Sequence, residues 1–88
     1  MGRIQVQTKS VTFKPTIERP RNASGYIASG AYSVSIANVD AAVDATVDGV
    51  ALKIGETISF SASESNGTLG RIEYDATGSE LLIISLRK

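Results

Sequence analysis

Cysteine and histidine are both absent from this 88-residue chain. Without them there are no disulfides, and nearly every transition-metal site is excluded. Serine and threonine also lack their ordinary general base, so nucleophilic catalysis is not expected. Asp40, Asp44 and Asp48 recur every fourth residue, a step of about 13 Å along a strand, too wide to share one Ca²⁺. The sequence predicts no enzyme, no cofactor and no metal site.

The small size of the chain bears on whether it associates with other subunits. Eighty-eight residues make one domain, which buries about 60–65% of the surface that the unfolded chain exposes. A net stability of roughly 4–13 kcal/mol is expected for this length. Small domains often add disulfides, a metal or partner subunits to such a core. Because the first two are excluded, partner subunits remain, and we expect a homo-oligomer.

Long apolar runs are also missing. Residues 1–10 alternate polar and apolar side chains and lack the continuous apolar region of a signal peptide. No apolar run approaches the ~20 residues that span a bilayer. We therefore expect neither a signal peptide nor a membrane partner.

The charges balance in number but not in position. Residues 1–30 contain five basic residues and one acid, whereas residues 31–80 contain eight acids and two basic residues. The basic residues are spread out, without interleaved aromatics that would stack on bases. We therefore expect no nucleic-acid partner. The basic segment is expected to lie on an acidic body, either its own or that of a neighbour.

The dominant period of the apolar residues is two, which predicts β-strands. Tyr32, Val34 and Ile36 alternate with small residues, and similar alternation runs through 43–48, 57–61 and 71–74. Asp48-Gly49 is typical of a two-residue hairpin turn. Further turns are predicted at 53–56, 65–68 and 75–78, a spacing typical of sandwiches and barrels. The sequence predicts an all-β fold, a small antiparallel β-sandwich that is jelly-roll-like or Greek-key.

Two segments depart from simple alternation. Residues 81–84 are apolar on both faces, so both sides of this strand should be covered, either by a central position between two layers or by a subunit interface. Residues 14–30 contain two prolines and two glycines and show little alternation. They are expected to form a long connection after a strand pair at 4–8 and 11–14. This divides the chain into an extended N-terminal arm, residues 1–30, and a β-sandwich body, residues 31–88.

Residues 31–86 resemble small virion-associated β-sandwich proteins of tailed bacteriophages. The likeness lies in the order of five segments: YSVSI at 32–36, VDGV at 47–50, GETISFSA at 55–62, NGTLGRI at 66–72 and YDATGSELLI at 74–83. The resemblance implies location in the virion and a role in capsid or tail architecture, as a decorating protein, a cementing protein or the base of an adhesion fibre. It implies many symmetric copies, as a trimer or higher oligomer, with a larger virion protein as a second partner. It supplies no catalytic residues.

The residues expected to form the assembly interface are the apolar ones of the arm and of the last strand: Ile4, Val6, Val11, Phe13, Leu82, Ile84 and Leu86. The alternative hypothesis is a carbohydrate-binding or adhesin module that acts through loops around Tyr26 and Asn66. Tyr26 is the aromatic residue expected to be exposed, because Tyr32, Phe60 and Tyr74 fall on core-facing positions. A third hypothesis is a domain of a larger surface protein.

Overall fold

The computed structural model describes residues 14–62 and 67–87. Over these residues the chain forms eight β-strands and no helix. The strands are β1 Lys14–Glu18, β2 Ser24–Ile27, β3 Ser33–Ala41, β4 Ala45–Val47, β5 Val50–Leu52, β6 Thr57–Ser61, β7 Ile72–Asp75 and β8 Ser79–Arg87.

The strands form two four-stranded antiparallel sheets. Sheet A has the order β1-β8-β3-β6, and sheet B has the order β2-β7-β4-β5. In sheet A, β1 pairs with β8 and β3 pairs with β6. In sheet B, β2 pairs with β7 and β4 pairs with β5. This is the strand order of a jelly roll, a double-sheet fold made of two Greek keys. The predicted antiparallel β-sandwich is confirmed, and the strand order is that of its jelly-roll form.

The core lies between the inner faces of the two sheets. Val34, Ile36, Leu81 and Ile83 enter it from sheet A, and Ile27, Ala45, Val47, Leu52 and Ile72 enter it from sheet B. The predicted alternation of β3 is confirmed at Val34 and Ile36. Val43, predicted to share the core face of Ala45 and Val47, is exposed. That prediction was wrong because residues 42 and 43 form a bend before β4 begins.

The predicted hairpin at Asp48-Gly49 is confirmed. Val47 pairs with Val50, and φ is positive at both central residues, 49° at Asp48 and 82° at Gly49. Two positive φ angles define a type I′ turn, whose twist matches that of the flanking strands. Asp tolerates the left-handed conformation and Gly adopts it without a steric cost.

The long connection predicted for residues 14–30 is wrong, because this segment contains β1 and β2. Both are edge strands of the described sheets, where proline and glycine are tolerated. Pro15 lies in β1, which pairs only with β8 among the described strands. Gly25 lies opposite Tyr74, and a Cβ at position 25 would lie 2.8 Å from the Tyr74 hydroxyl. The strand pair predicted at 4–8 and 11–14 lies outside the described residues except for Lys14.

Gly78 belongs to the turn that carries the chain from sheet B to sheet A. Its φ is +80°, and a Cβ there would lie 2.8 Å from Cγ2 of Val43. We expect Gly78→Ala to lower the free energy of unfolding by about 1–3 kcal/mol, from backbone strain and steric overlap. Urea denaturation measures this. Gly70→Ala is the control, since a Cβ at position 70 would meet no atom within 4 Å beyond its chain neighbours; equal losses at the two positions would contradict the expectation.

Candidate assembly interface

The outer face of sheet A is defined by the strand register. Ile84 lies opposite Ile17 of β1 on one side and opposite Ser35 of β3 on the other. Directly paired residues of antiparallel strands point to the same face. Because Leu81 and Ile83 are buried in the core, the residues that alternate with them on β8 point outward.

Large apolar side chains are concentrated on the β1 and β8 half of this face. We call this set the outer apolar row: Pro15, Ile17, Leu82, Ile84 and Leu86. Ile17 is 63% exposed and Ile84 is 37% exposed, whereas Leu82 and Leu86 are half-buried. A contiguous exposed apolar surface on two neighbouring strands is typical of an interaction site.

The β3 and β6 half of the same face has short side chains. We call it the small-residue shelf: Ser33, Ser35, Ala37, Thr57, Ser59 and Ser61. Each strand of the shelf is paired in register with its neighbour, so Ser59, Ser35 and Ile84 lie side by side across the sheet. Over residues 33–37 and 57–61, the outer apolar row therefore borders a surface without bulky side chains; further along β3, Val39 is 40% exposed.

Strand β1 adds an unpaired edge to this face. All five of its residues are exposed, and no described strand pairs with its second edge. Unpaired edges present backbone hydrogen-bonding groups to other chains. Pro15 removes one donor, and Lys14 and Glu18 bring charge, two features that limit uncontrolled pairing. Ile17 and Pro15 are therefore the apolar side chains that this edge offers.

Polar contacts hold both ends of β8 in place. Near the Leu82 end, Arg19 Nε donates to Glu80 Oε2 at 3.1 Å, and Arg21 approaches Glu80 at 3.9 Å. At the other end, the Arg87 guanidinium donates to the carbonyls of Ser29 at 3.0 Å and Ala28 at 2.7 Å. These contacts fix the chain on either side of the outer apolar row.

The residues predicted for assembly divide into two groups. Leu82, Ile84 and Leu86 share the outer face of sheet A, while Ile4, Val6, Val11 and Phe13 lie outside the described residues. Of the two ways to cover both faces of 81–84, the central position is not seen among the described strands, where sheet B covers only the side of Leu81 and Ile83. The subunit interface remains a prediction. Sequence reasoning missed Ile17, whose position on this face depends on its pairing with Ile84, 67 residues further along the chain.

The alternative site at Tyr26 lies on a different face. Tyr26 belongs to β2, not to a connection, and is 53% exposed. The Arg71 guanidinium lies 4.0 Å from the ring centroid in a cation–π contact, and it also pairs with Glu73 at 3.2 Å. One face of the ring is thus occupied by Arg71. Asn66 lies outside the described residues.

Two carboxylates of sheet B and its hairpin turn accept hydrogen bonds from backbone amides. Asp48 Oδ1 accepts a hydrogen bond from Glu73 N, and Asp75 Oδ1 accepts one from Thr77 N, each at 2.9 Å. Hydrogen bonds from the Thr77 side chain, and then from its backbone, lower the pKa of Asp75. This stabilising contact is complete above the unfolded pKa of about 3.9 and is lost as the pH falls through the lower folded pKa.

The described part of the chain lacks two kinds of feature. No group of three or more acidic residues there is placed to hold a metal ion. No helix long and apolar enough to cross a membrane occurs between residues 14 and 62 or 67 and 87.

No family model matches this chain, and no curated protein or solved structure is similar to it at a significant level. The surfaces described above, and the resemblance of residues 31–86 to virion-associated β-sandwich proteins, are what bears on the function of this chain.

Proposed function

We propose that this protein is a structural protein of a virus particle, a jelly-roll domain that self-associates and decorates or cements a bacteriophage capsid or tail. Its partners would be further copies of itself and a larger virion protein. The observation that carries the proposal is the outer apolar row, an exposed apolar surface on a regular sheet face.

The topology is compatible with this role without deciding it. Eight-stranded jelly rolls occur in viral capsid proteins and in lectins, and a fold alone does not determine a function. The exposed surface of sheet A favours the capsid role over the lectin role. Ile17 and Ile84 present an apolar face suited to a flat protein partner, because sheet faces pack well on other extended surfaces.

The first test is the mass of the protein in solution, measured by light scattering between about 1 and 100 μM. We expect an oligomer that persists at high salt, since apolar contacts are not weakened by screening of charges. A strict monomer over this range would contradict self-association.

The second test is whether the chain is a component of the virus particle. Quantitative mass spectrometry of purified particles of the virus that encodes this sequence should find the chain in many copies. Its absence from intact particles would contradict the virion role and leave self-association standing.

A second candidate function is glycan binding, which the exposed ring of Tyr26 favours. Aromatic rings with one free face can stack on apolar faces of sugars. If this function applies, a glycan array should show specific retention that Tyr26→Ala abolishes and Val50→Ala, an exposed apolar control on the same sheet, preserves. Under the assembly proposal, no specific retention is expected.

A further inference from the structure

One half of the outer face of sheet A carries large side chains, and the other half carries small ones. We propose that two copies of the chain pack on each other through this face, about a two-fold axis that runs parallel to the strands between β8 and β3. The outer apolar row of each copy then lies on the small-residue shelf of the other. This inference rests on the proposed function, because it specifies how the self-associating copies meet.

Close packing favours this axis over a two-fold axis perpendicular to the strands. The perpendicular axis would place row on row and shelf on shelf. Two layers of leucine and isoleucine would then hold the sheets apart, and a gap would remain between the two shelves, which costs contact energy. The parallel axis places a layer of large side chains on a layer of small ones in both halves of the face. The two sheets can then approach evenly, in the aligned arrangement that is common for packed sheets.

The register of sheet A determines which residues meet in this arrangement. Across the four strands, side by side, lie Ile17, Ile84, Ser35 and Ser59. A two-fold axis parallel to the strands leaves each residue at nearly the same position along the strand direction. It therefore places Ile84 of one copy over Ser35 of the other, and Ile17 over Ser59. The neighbouring levels of the sheet give pairs of the same kind, Leu82 over Ala37 and Leu86 over Ser33.

Val39 lies at the end of the shelf and is compatible with this packing. It follows the buried Asn38 on β3 and is 40% exposed, so it faces away from the core. In the proposed dimer it stands one outward position beyond Ala37, over which Leu82 of the second copy lies. Val39 therefore adds an apolar neighbour for Leu82 instead of blocking its approach.

The serine hydroxyls of the shelf can be buried because they face each other within their own sheet. Ser35 lies directly opposite Ser59, and Ser33 lies directly opposite Ser61. Directly opposed hydroxyl side chains on neighbouring strands can hydrogen-bond to each other. Such pairs reduce the cost of displacing water from the shelf, since an unpaired hydroxyl is expensive to bury.

The area of the face is sufficient for a specific dimer of modest affinity. Strands β3 and β8 contain nine residues each and extend about 30 Å, while four neighbouring strands span about 19 Å. The flat area is roughly 450–570 Å² on each copy, or about 900–1,100 Å² in total, close to the ~1,000 Å² that a specific interface should reach. Because a two-fold contact is self-complementary, it closes after two copies.

Thiol cross-linking of the full chain tests the inference, because a cysteine-free protein carries only the thiols that are introduced. Chains with Ile17→Cys are mixed with chains with Ser59→Cys and treated with a bifunctional thiol reagent that spans about 10 Å, the distance between packed sheets. We expect a cross-linked heterodimer on a denaturing gel, with little linking of Ile17→Cys chains to each other. A second pair, Pro15→Cys with Ser61→Cys, leaves Ile17 in place and should link as well. The control partner for Ile17→Cys is Ser24→Cys, an exposed serine on an edge strand of sheet B, which should not link.

Three results would overturn the inference. Linking of Ile17→Cys chains mainly to each other would show that two rows meet, and the proposed self-association would stand. Absence of linking in both pairs, in a protein that light scattering shows to be associated, would show that the copies meet through another surface. Equal linking of Ile17→Cys to Ser24→Cys would show unspecific collisions. Failure of the proposed self-association is a separate result, namely a monomeric wild-type protein in light scattering.

Discussion

Ile17→Lys is expected to weaken self-association by roughly 10–100-fold. Ile17 is the most exposed large apolar residue of the outer apolar row and lies beside Ile84. Placing an ammonium group in an apolar contact removes burial energy and leaves a charge that must be desolvated. The few hot-spot residues near the centre of an interface contribute about 2 kcal/mol or more, and each 1.4 kcal/mol changes a dissociation constant about tenfold.

Ile54→Lys is the matched control. Ile54 is the same residue type and is 57% exposed against 63% for Ile17, but it belongs to the turn between β5 and β6. Neither substitution should change the free energy of unfolding by more than about 0.5 kcal/mol, because both positions are on the surface. Sedimentation velocity over a concentration series compares the two variants. Equal weakening, or weakening by Ile54→Lys alone, would place the interface elsewhere.

Asn38→Asp is expected to lower the free energy of unfolding by about 3–5 kcal/mol at neutral pH. Asn38 is 1% exposed, and its Nδ2 donates to the carbonyl oxygen of Leu52 at 2.8 Å. This bond joins β3 of sheet A to β5 of sheet B. A carboxylate at position 38 cannot donate this bond and would set a buried negative charge against a carbonyl oxygen. The loss approaches the whole stability of so small a domain.

The pH dependence of this variant identifies the cause. Burial raises the folded pKa of such a carboxyl above its unfolded value of about 3.9. The charge penalty is therefore absent below about pH 4, grows as the pH rises toward the folded pKa, and is constant above it. Asn38→Ala removes the same hydrogen bond without a charge and should lose about 1–3 kcal/mol at every pH. Urea denaturation from pH 3 to 8 measures both variants, and a pH-independent loss in Asn38→Asp would contradict the buried-charge account.

Local patterns predicted the parts of the fold that depend on neighbouring residues. The alternation around Val34 and Ile36 and the turn at Asp48-Gly49 need only a few residues to be recognised, and both are confirmed. Strands β1 and β2 were missed because Pro15 and Gly25 indicate loops when read alone. They are tolerated here because both strands lie at sheet edges, a property that depends on distant partners.

The candidate site was likewise predictable from sequence only where it depends on residues close together in the chain. The two-sided apolar pattern of β8 was visible in the sequence, and in the structure Leu82, Ile84 and Leu86 lie on the face opposite to Leu81 and Ile83. The pairing of β1 with β8 that adds Ile17 was not visible, since one isoleucine among polar residues carries no periodic signal. Asn38 is a further example: it follows the inward phase of Val34 and Ile36, but its hydrogen bond to Leu52 depends on how the two sheets meet.

The proposed function requires the outer face of sheet A to be the assembly interface. Methyl NMR of isoleucine-labelled wild-type protein, recorded over a concentration series, tests it without any substitution. We expect the methyl signals of Ile17 and Ile84 to shift or broaden with rising concentration, while those of exposed Ile54 and buried Ile36 stay constant. Concentration-dependent changes confined to Ile54, or signals of Ile17 and Ile84 that do not change while the protein associates, would contradict the claim.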